Sequence, residues 1–141
     1  MGAIDRVEIE RRVRALALII AAPDQVLPTF GHSQDGARPH IEVEASGRMH
    51  YVVVERGREL ERLTHVDINL LLFRVFEDIT FFLAGQFELA HRKSGQDSRR
   101  IMFARQVELL GMLSAEWAER GAARHAIILS AHPFRDDDLL A

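Results

Sequence analysis

The sequence predicts an α+β fold, in which an N-terminal helix and a small three-stranded antiparallel meander precede three helices packed on one sheet face. Two observations support this class. Apolar residues recur at helical spacing near both ends of the chain, whereas alternation of apolar and polar residues is confined to the stretch between them. Strands and helices segregated in this way are typical of α+β proteins. The length of 141 residues suits a single domain, residues 1–141.

The first predicted element is an amphipathic helix that Pro23 ends. Its apolar positions are Ile4, Val7, Ile9, Val13, Leu16 and Ile20. Acidic residues are mixed with the basic ones ahead of the apolar run Ala15–Ala22, which is not the pattern of a secretory signal. A cytoplasmic location is therefore expected. The stretch 23–39 contains three prolines and predicts an ordered loop.

A β-hairpin is predicted next. His40–Glu44 alternates with a period of two residues, as a half-buried strand does. Ser46-Gly47 is a turn signal, and Met49–Glu55 is rich in β-branched residues. These three features together predict two antiparallel strands joined by a tight turn.

A two-residue turn at Ser46-Gly47 would fix which side chains share a face of this hairpin. It would pair Val43 with His50 and Ile41 with Val52, on the face expected to meet the core. The opposite face would then carry Glu42, Glu44, Tyr51 and Glu55, with Met49 and Val53 among them. This second face is expected to be open.

The remaining elements follow from turn and cap signals. Arg56-Gly57-Arg58 predicts a turn into a third strand, Glu59–Leu63, whose register the sequence leaves open. Thr64-His65-Val66-Asp67 resembles a capping box and predicts a helix that extends to about Arg92. A third helix is predicted from about Arg99 to Leu113. The fourth is expected to begin after a Ser114 cap and to end near His132-Pro133.

Catalysis finds no support in the motifs. The chain has no cysteine, no Gly-x-Ser-x-Gly nucleophile turn and no glycine-rich loop that opens a helix after a strand. Glu42 and Glu44 are paired carboxylates on one strand, but such a pair on a small sheet is expected to face water rather than to line a cleft. The expectation is therefore a protein that is not an enzyme and has no cofactor.

One spacing leaves a metal site open as an alternative. Glu88 and His91 form the Glu-x-x-His pattern that di-iron bundles use. Those sites need two copies of the pattern, and the sequence contains one, so a solvated helix face is the simpler interpretation. A metal-binding protein or metal-dependent enzyme that uses Glu88, His91 and histidines of the sheet stays as an alternative hypothesis.

Nucleic acid and membrane are not expected partners. The formal net charge is -3, and the basic cluster Arg92-Lys93 with Arg99-Arg100 is diluted by Glu88 and Asp97. The most apolar stretch, 68–84, contains three charged residues that would be costly in a bilayer.

A protein partner is the remaining class. The predicted open sheet face offers Tyr51 among acidic side chains, flanked by arginines, and interfaces favour aromatic and arginine anchors with a polar rim. The partner-binding residues predicted on this face are Glu42, Glu44, Tyr51, Glu55, Arg56 and Arg58. The Arg99-Arg100 end of the third helix is the second choice. A homo-oligomeric scaffold that uses the sheet face or edge is a further alternative.

Several segments resemble one family. They are Leu27–Gly31, His40–Val43, Tyr51–Glu59, Leu71–Phe81, Asp97–Leu113 and His132–Phe134. In these segments the chain resembles the bacterial immunity protein 63 family, although the family tends to have aromatics where this chain has Phe73-Arg74. The resemblance implies a non-enzymatic antitoxin that protects the producing cell by binding the toxin domain of a polymorphic or contact-dependent system.

Overall fold

The computed structural model of this chain describes residues 5–65 and 67–137. Ile4 of the predicted first helix and Val66 of the predicted capping box lie outside these ranges. Four α-helices and a four-stranded mixed sheet occur within them, so the α+β class is confirmed. The described chain divides into two compact units at Val75/Phe76. The expectation of a single domain, and of helices packed on one sheet face, remains a prediction.

Helix α1 covers Arg6–Ile19. Its start is set by Asp5, whose carboxylate accepts a hydrogen bond of 2.9 Å from the backbone N–H of Glu8. Ile9 and Val13 lie one turn apart and are completely buried, as the apolar spacing predicts. The pKa of Glu8 is lowered to about 2 because Arg11 and then Arg12 donate hydrogen bonds to its carboxylate.

The sheet has the strand order β1-β2-β3-β4. Its strands are β1 (Thr29–Phe30), β2 (His40–Val43), β3 (Met49–Glu55) and β4 (Arg58–His65). Strand β1 pairs parallel with β2, and the other two pairs are antiparallel. The prediction of three strands, all antiparallel, is therefore wrong in these two details. Strand β1 is two residues long inside a proline-rich loop, so it has no periodicity that a sequence pattern could show.

The loop between β2 and β3 is one residue longer than predicted. The backbone N–H of Glu44 donates to the carbonyl of Arg48 at 2.8 Å, and Gly47 has a φ of 93°. This is a three-residue hairpin loop with glycine in the left-handed position. Ile41 consequently pairs with Tyr51 and Val43 with Met49, so the predicted pairing is wrong by one residue.

Strand β4 contains a β-bulge opposite Val53 and Val54. Val53 pairs with Glu61 and Val54 with Glu59, which leaves Leu60 as the extra residue, 57% exposed. The bulge changes which face the side chains occupy halfway along the strand. No single register could therefore place the apolar residues of this strand on one face.

Helix α2 covers Ile68–Ala90. Strand β4 continues through Thr64 to His65, so the predicted capping box is wrong, and the carboxylate of Asp67 caps the helix instead. It accepts hydrogen bonds from the backbone N–H groups of Asn69 at 2.7 Å and Leu70 at 3.3 Å. No helix in the described ranges is both long and apolar enough to span a membrane.

The second unit continues with α3 (Ser98–Leu113) and α4 (Ala115–Ala131). Ser114 caps α4 by accepting a hydrogen bond of 3.2 Å from the N–H of Trp117, as predicted. Trp117 is buried and stacks on Phe76 of α2, with ring centroids 6.0 Å apart. Trp117 thus anchors the fourth helix in the core of this unit.

A buried polar network links the helices of this unit. The side-chain amide of Gln106 donates to the carbonyl of Glu77 at 2.9 Å and to the hydroxyl of Thr80 at 3.2 Å. The Nε2 atom of His125 lies 2.7 Å from Oε1 of Gln106, and its ring stacks on Phe103 at 4.0 Å. Burial, with a smaller contribution from a nearby arginine, lowers the pKa of His125, so the neutral ring is favoured as the donor.

Candidate functional site

One face of the sheet carries a continuous set of polar side chains. The observed register places His40, Val52 and Arg62 in one row across the strands and Glu42, His50 and Thr64 in the next. Side chains at adjacent positions of such rows are close enough to interact directly. We call this set the polar sheet face: His40, Glu42, Glu44, His50, Glu59, Arg62 and Thr64.

Glu42 is at the centre of the first network on the polar sheet face. Its carboxylate lies 2.8 Å from Nε2 of His40 and 3.1 Å from Nη1 of Arg62, and Arg62 also binds Glu59 at 2.8 Å. The hydrogen bond from His40, and then that from Arg62, lowers the pKa of Glu42. The hydrogen bonds that Arg62 donates to Glu59 and then to Glu42 raise the pKa of Arg62. Both Glu42 and Arg62 are therefore charged at neutral pH.

His50 organises the second network. Its Nδ1 lies 2.8 Å from the hydroxyl of Thr64, and its Nε2 donates to the carboxylate of Glu44. This hydrogen bond is the largest cause of the lowered pKa of Glu44. The ring of His50 is buried, whereas the side chain of Glu44 is 47% exposed. The histidine thus holds an ionised carboxylate in a fixed position at the surface.

These contacts decide what the polar sheet face can do. Both of its central carboxylates, Glu42 and Glu44, are already hydrogen bonded to a histidine, and Glu42 is also bonded to an arginine, so neither is poised as a general base. No three His, Asp or Glu side chains within residues 5–65 and 67–137 are grouped as metal ligands. The arrangement presents oriented charges of both signs, which is suited to recognition of another molecule.

Tyr51 does not lie on this surface. The longer hairpin loop places it on the opposite face, where its side chain is 1% exposed. The guanidinium carbon of Arg74 lies 5.2 Å from the centre of the tyrosine ring, and Nη2 of Arg74 is 2.9 Å from Oε1 of Glu61. The expectation that Tyr51 shares an open face with Glu42 and Glu44 is therefore wrong.

The β3–β4 turn lies at one end of the same sheet. Arg56 and Gly57 both have positive φ values, 54° and 74°, as in the two-residue hairpin turn whose twist matches that of the strands. Glu55, Arg56 and Arg58 are exposed. Neither arginine forms an ion pair within the part of the chain that the structure describes. Both cations are therefore accessible at this end of the sheet, and their predicted role in binding a partner stays a prediction.

Arg99, by contrast, is occupied within its own chain. Its guanidinium donates to the backbone carbonyls of His132 and Pro133, both at 2.8 Å, and to the carboxylate of Asp97 at 2.8 Å. Asp97 also accepts from the backbone N–H of Arg135 at 2.8 Å. Arg99 and Asp97 thus attach the segment that follows α4 to the start of α3.

Arg100 has the same role. It forms two hydrogen bonds of 3.0 Å with the carboxylate of Asp136, and its guanidinium carbon lies 4.3 Å from the centre of the Phe134 ring. We call the contacts of Asp97, Arg99 and Arg100 with this segment the C-terminal clamp. The binding role predicted for these two arginines stays a prediction, and the contacts that the structure shows are intramolecular.

The Glu-x-x-His pair is also committed to local contacts. Both Nε and Nη2 of Arg92 donate to the Glu88 carboxylate, at 3.0 and 2.8 Å, and these bonds lower the pKa of Glu88. Nδ1 of His91 donates to the carbonyl of Phe87 at 2.8 Å, and the two rings stack at 4.0 Å. This geometry gives the metal-site alternative no support.

Sequence reasoning found Glu42 and Glu44 but missed the residues that hold them. His40 and His50 have no spacing typical of metal ligands that would single them out. Arg62 and Glu59 lie on the strand whose register the sequence does not determine. The signal that could have found them is the longer hairpin loop, because it aligns His50 with Glu42. The β-bulge has no comparable signal in the sequence.

Together the fold and the site define an α+β protein with a sheet face on which paired charges, those of Glu42, Glu44, Glu59 and Arg62, reach the surface. The family model for Immunity protein 63 matches residues 45–127, which is more than half of the chain. The chain belongs to the immunity protein 63 family. Comparison with curated proteins and with solved structures gave no match.

The matched region begins in the β2–β3 loop and ends within α4. It contains three of the segments that carry the resemblance, Tyr51–Glu59, Leu71–Phe81 and Asp97–Leu113. The other three segments lie outside it. At Phe73-Arg74, where the sequence predicts a departure from the family, Arg74 lies over the ring of Tyr51.

Proposed function

We propose that this protein is an immunity protein that binds and neutralises a cognate bacterial toxin domain, and so protects the cell that produces the toxin. The observation that carries the proposal is the family match over residues 45–127. The proposed action is stoichiometric binding in the cytoplasm, without catalysis and without a cofactor. Bacterial competition by polymorphic or contact-dependent toxins is the setting in which such a protein would act.

The polar sheet face is the surface that we propose for the toxin. Side chains of Glu42 and Glu44 are 40% and 47% exposed, yet both are fixed by histidines. Fixed side chains lose little conformational entropy on binding, and this reduces the cost of association. Their charges would attract a basic surface of the toxin and orient it during the encounter.

The β3–β4 turn would form the rim of the same interface. Arg56 and Arg58 are exposed and without ion pairs among the described residues, so an acidic group of the toxin could reach them without first breaking a contact. Rim charges of this kind affect the rate of association more than the lifetime of the complex. Specificity would come from the match of both signs of charge.

The test is rescue of growth. The cognate toxin domain, which is to be sought among the neighbouring genes, is expressed in a sensitive bacterium, alone or together with this protein, and colony counts are compared. We expect full protection and co-purification of the two proteins at a ratio of one to one. Toxicity that persists at equal expression levels would refute the proposed function.

A matched pair of charge variants then tests the proposed surface. Glu42→Lys combined with Glu44→Lys reverses the exposed acidic charge of the polar sheet face, and protection should be lost. Glu119→Lys, the control, reverses an exposed carboxylate on α4 that has no ion pair among the described residues, and protection should persist. Circular dichroism of each variant confirms that it is folded.

A further inference from the structure

A cavity of about 360 Å³ opens in the second unit, next to the end of α2 and the first turns of α3. The side chains that give it its chemistry are Phe87, Lys93, Gln96, Arg100, Arg105 and Glu108. Three of these are cations and one is a carboxylate. The cavity is thus positively charged in a chain whose formal net charge is -3, and the overall composition does not explain it.

Lys93 is the cation of this cavity that has no ion pair among the described residues. Arg100 is bound to Asp136, and Arg105 is bound to Glu108 while its guanidinium carbon lies 4.5 Å from the centre of the Phe87 ring. The ammonium group of Lys93 has no ion pair within the described residues. Lys93 is also the only lysine in the sequence, in which every other permanent side-chain cation is an arginine.

Gln96 lines the same cavity, and its side chain has an unused hydrogen-bond acceptor. Its Oε1 atom is buried and has no hydrogen-bond partner among the described residues. A buried polar atom without a partner is unfavourable, and such atoms are few in native proteins. A ligand that brings an N–H group to Gln96 would remove this defect.

The turn that carries Lys93 and Gln96 is hydrogen bonded to the segment that follows α4. Gly95 has a φ of 75°, and its carbonyl accepts a hydrogen bond of 3.0 Å from the N–H of Asp137. A Cβ atom at position 95 would lie 3.4 Å from the carbonyl oxygen of Asp137. The turn that carries Lys93 and Gln96 is therefore held by the segment that follows α4.

We propose that this cavity receives an acidic side chain of a protein partner. The carboxylate would pair with Lys93, an N–H group of the partner's backbone would donate to Gln96 Oε1, and the methylene groups of the side chain would cover the ring of Phe87. This combination favours a peptide over a nucleic acid, because a phosphate group brings no N–H donor beside its charge. The proposal rests on the proposed function only in taking the toxin as that partner.

The single lysine makes a direct test possible. Reductive methylation of the full-length protein with ¹³C-formaldehyde keeps the charge of Lys93 and gives one side-chain dimethylammonium signal by NMR. N-acetyl-glutamate N-methylamide should shift this signal and saturate at on the order of 10 mM, as expected for a single small residue. N-acetyl-glutamine N-methylamide, the neutral control, should leave the signal in place.

Two further experiments test separately whether the ligand group is a carboxylate and whether Gln96 accepts an N–H group. If inorganic phosphate shifts the signal as strongly as the glutamate compound does, the proposal is overturned in favour of a phosphate site. If Gln96→Leu leaves the glutamate affinity unchanged, the proposed N–H contact is wrong and the proposal falls with it. The expected results are a weaker effect of phosphate and a several-fold loss of affinity in Gln96→Leu.

The same variants connect the cavity to the toxin. Lys93→Met and Gln96→Leu should each raise the Kd of the toxin complex by about 3- to 10-fold, whereas Lys93→Arg should restore most of the affinity. Arg120→Met removes a cation on α4 outside the cavity and should change nothing. An unchanged Kd in Lys93→Met would overturn the proposal for the cavity and leave the proposed function standing. A toxin that does not bind at all would refute the proposed function. In that case the titration with the glutamate compound would still test whether the cavity binds a carboxylate.

Discussion

The polar sheet face and the C-terminal clamp are both rich in arginine and carboxylate, yet they use these groups differently. In the clamp, Arg99 donates to the backbone carbonyls of His132 and Pro133, and the Asp97 side chain is only 11% exposed. On the sheet face, the side chains of Glu42 and Glu44 remain 40% and 47% exposed while buried histidines hydrogen bond to them. Charge composition alone does not distinguish a cluster that holds the fold together from one that is available to a partner. The number and kind of intramolecular contacts, together with side-chain exposure, do.

The largest effect should come from the clamp. Asp97→Ala removes the acceptor of the Arg99 side chain and of the backbone N–H groups of Arg99 and Arg135. We expect the free energy of unfolding to fall by about 1–3 kcal/mol, since a poorly exposed charged acceptor with several donors is lost. Urea denaturation followed by circular dichroism measures this.

Glu44→Ala is the matched control for that measurement. It removes a carboxylate that also has a lowered pKa and a short contact with a histidine, but one that is half exposed. Its unfolding midpoint should fall less than that of Asp97→Ala, because the carboxylate that is lost is half exposed. A loss as large as that of Asp97→Ala would show that the sheet face, too, serves to hold the fold.

A smaller effect should appear with pH in the helical unit. The pKa of His125 is lowered in the folded state, so the unfolded chain takes up a proton first as the pH falls. The contribution of His125 is therefore fully present above its unfolded pKa of about 6.5 and is lost as the pH falls below that value. Unfolding curves at pH 7.5 and pH 5.5 should show a lower stability at the acidic pH.

His125→Gln isolates this contribution. Glutamine keeps a donor for Gln106 Oε1 and has no proton to gain, so the dependence on pH between 7.5 and 5.5 should become shallower. The carboxylates whose pKa values are lowered, among them Asp97, contribute above about pH 4 and lose their effect only below it. An unchanged slope in His125→Gln would contradict the role assigned to the network of Gln106.

The smallest effect is expected at the β3–β4 turn. Arg56→Met and Arg58→Met should leave the unfolding midpoint unchanged, because neither side chain has an ion pair among the described residues. With the toxin, they should lower the association rate at low salt by about 2- to 5-fold and have little effect at high salt. Stopped-flow fluorescence at two ionic strengths measures both. A change confined to the dissociation rate would place these arginines in the interface centre rather than at its rim.

Much of the fold could be predicted because its signals are local. The periodicity of α1, the Ser114 cap and the burial of Trp117 follow from residues within a few positions of one another. Strand β1 could not be predicted, since two residues that pair in parallel across a long loop leave no pattern. The bulge at Leu60 was equally inaccessible because it depends on the packing of both strand faces.

At the candidate site, an error of one residue in the predicted loop length assigns the side chains of β3 to the wrong face. One additional residue in the hairpin loop moved Tyr51 to the buried face and aligned His50 with Glu42. Because side chains alternate along a strand, a shift of one residue exchanges the two faces completely. The charged ends of the site, Glu42 and Glu44, could be predicted, whereas the histidines that hold them required the register.

The central claim is that the toxin binds the polar sheet face, and the most direct test is the Kd of the purified complex by isothermal titration calorimetry. Glu42→Lys combined with Glu44→Lys should raise the Kd at least 100-fold, because attraction is replaced by repulsion across the interface. Glu119→Lys should keep the wild-type Kd. Equal Kd values for the wild-type protein and the doubly reversed variant would contradict the account.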